Sequence, residues 1–220
     1  MAKVGPAHVI CVHGMWMRGA DANFLRERLA ERYGYLTHQW HYKTVRASIE
    51  DNCRALQSLV EERLHHRQDA ECHFVAHSLG GLVVLKMLAD WADAPSGRVI
   101  CLGTPLTDRA AALRVAALSD ESALFGRLTD SEMPLGNSAL QAQLHPRTIG
   151  SIAGTHCVNL GRRESGLSLP NDGAVTVAET LAPFVDASLE VAATHTGLLS
   201  SIEVTDQVAH FLMHGDFRAS

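Results

Sequence analysis

The sequence predicts an α/β protein: a mostly parallel sheet of about six strands with helices on both faces. Three observations lead there. Short, largely apolar runs alternate with longer segments of helical periodicity, as buried parallel strands alternate with their crossover helices. Residues 72–85 read C-H-F-V-A-H-S-L-G-G-L-V-V-L, an apolar run, a tight turn with a serine at its tip, then a second apolar run of helical length. His13, Ser78, Thr104 and His195 each lie just past a predicted strand end, on the edge where such sheets meet their ligands.

Residues 7–12 (A-H-V-I-C-V) form the first strand, which stops at His13-Gly14-Met15. Asp21 is placed to cap the helix that follows, with Phe24, Leu25 and Leu29 on one face and Gly34 as its stop. Residues 35–42 are a second, less apolar strand, nearer a sheet edge. Ser48 opens the next helix with Asp51 three residues on, a weak capping box, and Ile49, Cys53, Leu56, Leu59, Val60 and Leu64 keep helical spacing. Residues 72–76 and 82–91 are the strand and helix flanking the Ser78 turn. Residues 98–102 form another strand, closed by Gly103-Thr104-Pro105-Leu106. Residues 149–154 and 189–193 are the last strands, and a helix over 201–214 carries Ile202, Val208, Phe211 and Leu212 on its apolar side.

Residues 107–148 break the alternation and are too long for a plain connection. Amphipathic patches at 110–118, 123–128 and 138–144 sit between Gly, Pro and polar breaks. The expected organisation is one domain over residues 1–220, with 107–148 a small helical insertion and candidate cap.

Composition bounds the partners. A chain of 220 residues, 46% hydrophobic, is enough for one sizeable core. The net charge of −5, with both signs mixed along the chain, leaves no basic patch for nucleic acid. No apolar run is long enough to span a membrane, though transient contact with a lipid surface is compatible with the chain. The first residues have no signal-peptide core, so the expected compartment is the cytoplasm. Five scattered cysteines without a C-x-x-C pair suit small buried side chains better than a disulfide framework. Thirteen histidines make no metal signature, so neither metal nor other cofactor is expected. His65-His66 is read as a helix end.

Strand, sharp turn and helix with Ser78 at the tip is the layout of a nucleophile elbow, which lifts a weak hydroxyl nucleophile clear of the backbone. Ala76 and Gly80 are the small residues beside it. A serine nucleophile needs a base, and the base an orienting acid. Downstream, His195 in A-T-H-T-G follows a strand and precedes a helix, whereas His210 and His214 read as surface positions. Asp172 in P-N-D-G is the acid candidate, 23 residues ahead of His195, although N-D-G is also a common turn sequence. Asp186 lies at the wrong end of the last strand, and Asp206 points by spacing to solvent. Attack on an acyl carbon makes an oxyanion, for which the backbone N–H groups of Leu79 and Met15 are the candidate donors. Gly14 lets the Met15 loop come close, and His13 is expected to orient that loop rather than act on substrate. Trp16, Met17, Leu79, Leu106 and Leu198 lie near these motifs and could line an acyl pocket or belong to the core; Leu124 and Phe125 of the insertion join them as substrate-binding candidates.

The order V-H-G-M, V-A-H-S-L-G-G, L-G-T-P-L, N-D-G-A-V and H-T-G-L-L-S, spread over nearly the whole chain, resembles the lipase-like α/β-hydrolases: compact bacterial lipases and esterases, and more loosely hydrolases akin to inositol deacylases. The resemblance implies the α/β-hydrolase fold, a triad of Ser78, Asp172 and His195, and an oxyanion hole at Met15 and Leu79. It implies a carboxylic ester hydrolase acting on a small-molecule acyl ester through an acyl-enzyme. Ala76 stands where the common elbow has Gly, as in some compact lipases. Many of those lipases are secreted, and residues 107–148 exceed the minimal lipase connection, so the pocket does not carry over. A thioesterase or acyltransferase with the same triad is the nearest alternative, and a non-catalytic binding module on this fold the remoter one.

Overall fold

The computed structural model describes residues 7–14, 22–42, 47–64, 70–107, 142–144, 146–157 and 167–219. Within them, β1 (His8–Val12), β2 (Leu36–Trp40), β3 (Cys72–His77), β4 (Val99–Leu102), β5 (Ile149–Gly154) and β6 (Ala187–Val191) form one sheet in the order β2-β1-β3-β4-β5-β6. Every neighbouring pair is parallel. β1, β3, β4 and β5 are buried along their whole length, which is why they read as near-continuous apolar runs.

Among the described residues the sheet is covered by α1 (Asn23–Tyr33), α2 (Ile49–Arg63), α3 (Leu79–Asp90) and α4 (Ile202–His214). Alternate side chains of each strand feed opposite faces. Ile10, Val12, Phe74, Ala76, Val99 and Cys101 pack with Leu56 and Val60 of α2 and Leu82 and Leu85 of α3. Val9, Cys11, Val75, Ile100 and Ile152 pack with Leu25 and Leu29 of α1 and Val204, Val208 and Phe211 of α4. The helix ends carry the expected signals. Ser48 Oγ accepts the Asp51 N–H at 3.0 Å, Ser201 Oγ accepts the Val204 N–H at 3.2 Å, and Gly34 and Gly215 close α1 and α4 at φ 75° and 82°.

Connectivity sets where a ligand can sit. The chain leaves β1 for β2 on one side, then returns to build β3 on the other. The loops after β1 and β3 therefore part at a topological switch point, the crevice that open α/β sheets use for binding. His13-Gly14 and Ser78 flank it.

Several boundaries differ from the sequence reading. α3 begins at Leu79, directly after Ser78, not at residue 82. Gly80 and Gly81 look like turn residues, but here they supply clearance. A Cβ at Gly80 would lie 2.5 Å from the His13 carbonyl oxygen, and one at Gly81 would lie 2.3 Å from Thr104 Oγ1. β3 runs one residue further, to His77, and β6 covers Ala187–Val191, ahead of the expected 189–193. β6 is an edge strand whose first four positions alternate between half-buried and exposed before Val191 is buried, so its apolar content does not mark its limits. Phe24 does not share the buried face of Leu25 and Leu29; it is 40% exposed. Asp21, His65 and His66 lie outside the described residues, and Ala22 at the start of α1 makes no side-chain cap. Most of the 107–148 insertion also lies outside them.

Candidate active site

Each site residue is set by the element that precedes it. β3 delivers Ser78 at its carboxyl end, where the chain turns into α3 with Ser78 at φ 55° and ψ −132°. Positive φ is rare for a residue with a Cβ, and serine holds it here because both flanks are fixed. The Ser78 N–H donates to the Leu102 carbonyl at 2.9 Å, tying the tip to β4, and its own carbonyl accepts the Gly81 N–H at 3.0 Å. The first N–H groups of α3, beginning with Leu79, have no intrahelical acceptor and face the same end as Ser78.

His195 stands on the loop between β6 and the short 3-10 turn Gly197–Leu199, and Asp172 on the turn after Asn171. Their partners form a chain. His195 Nε2 lies 2.9 Å from Ser78 Oγ, and His195 Nδ1 lies 2.7 Å from Asp172 Oδ2. The His195 backbone N–H also donates to the Asp172 carbonyl at 3.0 Å, so the two residues are joined twice. Asp172 Oδ1 accepts the N–H groups of Ala174 and Val175 at 2.9 and 2.8 Å, which leaves Oδ2 free to face the ring. The N-D-G sequence thus makes its turn and aims a carboxylate with the same side chain. The Asp172 side chain is 1% exposed and that of His195 16%, so the pair is shielded while the imidazole keeps an open edge.

Two further residues close around this chain. Gly103, after β4, has φ 55°, and a Cβ there would come within 3.0 Å of Asp172 Oδ2 and 3.1 Å of His195 Nδ1. Any side chain at Gly103 would press on the Asp172–His195 bond. His77 sends Nε2 to the His195 carbonyl at 2.8 Å. Burial first, and the neighbouring His195 second, lower the His77 pKa to about 3, so it is neutral at ordinary pH and donates through Nε2–H. Sequence reasoning missed both roles. Gly103 was visible as a glycine directly after an apolar strand, whereas the partner of His77 is 118 positions away and leaves no local signal.

Across the crevice, His13 orients its own turn as expected, with Nδ1–H donating to the Gly14 carbonyl at 2.7 Å. Gly14 packs against the elbow, where a Cβ would meet His77 Nδ1 and Ser78 Cβ at 2.9 Å. Met15, Trp16, Met17, Leu124 and Phe125 lie outside the described residues. Leu79 is 7% exposed beside Ser78, while Leu106 and Leu198 are fully enclosed by core on opposite faces of the sheet, so packing is the role this conformation gives them. Asp186 accepts the Ile149 N–H at the far end of β5 and β6, away from His195, as its sequence position suggested. Asp206 is not a solvent-facing carboxylate; it pairs with Arg28 and Tyr33. Among the described residues no group of three or more His, Cys, Asp or Glu side chains could hold a metal ion, and no helix is long and apolar enough to cross a membrane.

This sheet order, with a serine elbow after β3, is the α/β-hydrolase fold. In its first half the chain is similar to a family of esterases: residues 6–109 match the model described as "Putative serine esterase (DUF676)". Solved structures agree on the architecture over almost the whole chain. A gene product of Listeria innocua, lin2722, is similar at 15% identity over 98% of this chain and 96% of its own, with a TM-score of 0.64. The lipase BlEst2 of Bacillus licheniformis in its mature form is similar at 18% identity over 97% and 93%, TM-score 0.66. Est1E from Butyrivibrio proteoclasticus is similar at 13% identity over 97% and 90%, TM-score 0.60. At such identities the likeness is one of fold. No curated protein sequence matches the chain.

Proposed function

We propose that the protein is a serine hydrolase of carboxylic esters, working through an acyl-Ser78 intermediate. The observation that carries this reading is the unbroken run Ser78 Oγ to His195 Nε2 at 2.9 Å and His195 Nδ1 to Asp172 Oδ2 at 2.7 Å. Neutral His195 takes the Ser78 proton as Oγ attacks the ester carbonyl, and Asp172 holds the ring in the tautomer with Nε2 free. The carbonyl oxygen becomes an oxyanion, met by the Leu79 N–H and the N–H of Met15. Collapse breaks the ester C–O bond, and the alcohol leaves with the proton from His195. Water then attacks the acyl-Ser78 carbon and gives a proton to His195; the bond from that carbon to Oγ breaks, Oγ takes the proton back from His195, and the acid is released.

The esterase description of the family match and the lipase name of one similar fold support an ester over other acyl compounds. The insertion over residues 107–148 is assigned to a cap that shapes the acyl pocket, with Leu124 and Phe125 the first candidates for acyl contact. It leaves the sheet just past β4, whose end lies beside Asp172 and His195. Each buried methylene of substrate is worth about 0.8 kcal/mol, so kcat/KM should rise with acyl length to an optimum that moves in Leu124→Ala or Phe125→Ala. An unchanged profile with only lowered thermal stability would make the segment packing rather than cap.

The decisive experiment is covalent labelling with a fluorophosphonate, with p-nitrophenyl butyrate hydrolysis measured alongside. One adduct is expected, on Ser78, with activity lost by several orders of magnitude in Ser78→Ala and by roughly 10²–10⁴ in Asp172→Asn. Full activity in Ser78→Ala would overturn the assignment.

A further inference from the structure

The carbonyl of His13 is the first after β1, past the last register pair between Val12 and Trp40. A hydroxyl takes the place of a strand partner: Tyr42, two residues beyond β2, donates its O–H to the His13 carbonyl oxygen at 2.7 Å. The same oxygen is closed from the other side by α3, where a Cβ on Gly80 would lie 2.5 Å away. The Tyr42 ring is itself held, stacked on Trp40 at 4.2 Å with the planes 4° apart and on His13 at 4.7 Å. Burial pushes the phenol well above the ordinary tyrosine range, so Tyr42 remains a donor. A trans peptide is planar, and its N–H points opposite its C=O. Fixing the His13 carbonyl therefore fixes the Gly14 peptide plane, and the His13 ring fixes the Gly14 carbonyl in turn. That turn lies against Ser78, with a Gly14 Cβ 2.9 Å from Ser78 Cβ.

We propose that Tyr42 is a positioning residue: its hydroxyl, backed by the Trp40 stack, holds the His13-Gly14 turn in register with Ser78, on the side of the crevice where the oxyanion develops. This rests on the serine-hydrolase reading and adds a residue outside the triad and the oxyanion donors. A group acting through that turn contributes where charge develops on the carbonyl oxygen and little to ground-state binding.

The test is Tyr42→Phe, which keeps the ring and its stacks and deletes one oxygen. With p-nitrophenyl butyrate, kcat should fall about tenfold with KM little changed, a fraction of what loss of a direct oxyanion donor costs. The inhibition constant of a trifluoromethyl ketone, whose carbonyl becomes an oxyanion when Ser78 adds to it, should rise by a similar factor. Thermal unfolding is recorded in parallel, because a purely structural hydroxyl would lower Tm and leave kcat and ketone binding at wild-type values; that result overturns the proposal. Trp40→Phe, which loosens the stack and retains the hydroxyl, gives a second reading if Tyr42→Phe folds poorly: a smaller loss of the same pattern supports the proposal, and a wild-type kcat and inhibition constant overturn it. If the wild-type enzyme neither hydrolyses the ester nor binds the ketone, the serine-hydrolase reading fails and takes this one with it; an active wild type with an unaffected Tyr42→Phe sinks this one alone.

Discussion

The Nε2–H of His77 donates to the carbonyl oxygen of His195 at 2.8 Å, so the residue beside the elbow serine grips the backbone of the residue that faces that serine. Together with the Asp172 carbonyl and carboxylate, it gives His195 one bond on its carbonyl, one on its N–H and one on Nδ1. The other ring nitrogen of His77, Nδ1, is buried against Gly14 with no hydrogen-bond partner among the described residues. Such an orphan is costly in a core, and it persists here at the meeting point of elbow, base and β1 loop.

His77→Phe should therefore lower both stability and turnover. The ring volume is nearly kept, the donor is lost, and a carbonyl deprived of its partner costs about 1–3 kcal/mol. Turnover should fall about tenfold as the imidazole of His195 samples poorer angles toward Ser78. His77→Gln, whose amide can donate to the same carbonyl, should recover part of both losses. Steady-state kinetics and thermal melts on the two variants decide it; wild-type kcat in His77→Phe would remove His77 from the catalytic support.

Acid should destabilise the fold well before the carboxylates titrate. Burial lowers the His73 pKa to about 4, with Arg98 adding to the effect, and lowers that of His77 to about 3. In the unfolded chain both return to about 6.5. The unfolded state thus binds protons first as pH falls, and stability present above pH ~6.5 is lost through the window from ~6.5 down to ~4 and ~3. The steepest slope is roughly 1.4 kcal/mol per pH unit for each histidine. Urea unfolding at pH 7, 6 and 5 measures it directly; a flat stability over that range would mean these side chains are not held neutral.

Much of this fold could be read from the chain because parallel strands buried on both faces are written as uninterrupted apolar runs, as at Val9–Val12 and Phe74–Ala76. The Ser78 elbow and the N-D-G and H-T-G loops also sit at strand ends, where order along the chain translates into neighbourhood. What was hidden depends on partners remote in sequence. Gly80 and Gly81 read as a turn but are the second and third residues of α3, and only the structure shows the His13 carbonyl and Thr104 pressing on them. Asp206 follows solvent spacing on its own helix, yet α1 packs beside α4 and covers it.

The Asp206 pairing carries its own prediction. Arg28 Nε and Nη2 donate to the two carboxylate oxygens at 2.9 and 3.0 Å, and the Tyr33 hydroxyl donates to Oδ1 at 2.7 Å, so three donors from α1 and its end converge on one acceptor of α4. Partial burial works against the charge, but the bonds from Tyr33 and Arg28 outweigh it and leave the carboxyl below its usual range. The Arg28 and Asp206 side chains are 20% and 26% exposed, and the fork is bidentate, so the pair should be worth more than an ordinary surface bridge. A double-mutant cycle between Arg28→Ala and Asp206→Ala should give a coupling of about 1 kcal/mol in denaturant unfolding, with ester turnover per folded molecule unaltered. No measurable coupling would reduce the pair to a crystal-like surface contact in energetic terms.

The strain at Ser78 can be separated from its chemistry by comparing two inactive variants. Ser78 holds φ 55° and ψ −132°, a region costly for any residue with a Cβ, by about 1–3 kcal/mol. Both Ser78→Ala and Ser78→Gly lose Oγ and with it the bond to His195 at 2.9 Å, so that loss cancels in the comparison. Alanine keeps the Cβ and the strain, while glycine adopts the conformation freely. Against glycine stands its greater freedom in the unfolded chain, about 0.4–1 kcal/mol. The difference leaves Ser78→Gly more stable than Ser78→Ala by about 1 kcal/mol, at the upper end of the strain range by about 2. Denaturant midpoints at equal m-values measure this, while fluorophosphonate labelling should be absent in both. If alanine proves the more stable, the elbow backbone is relaxed at Ser78, and the hydroxyl is set by side-chain contacts rather than by a strained main chain.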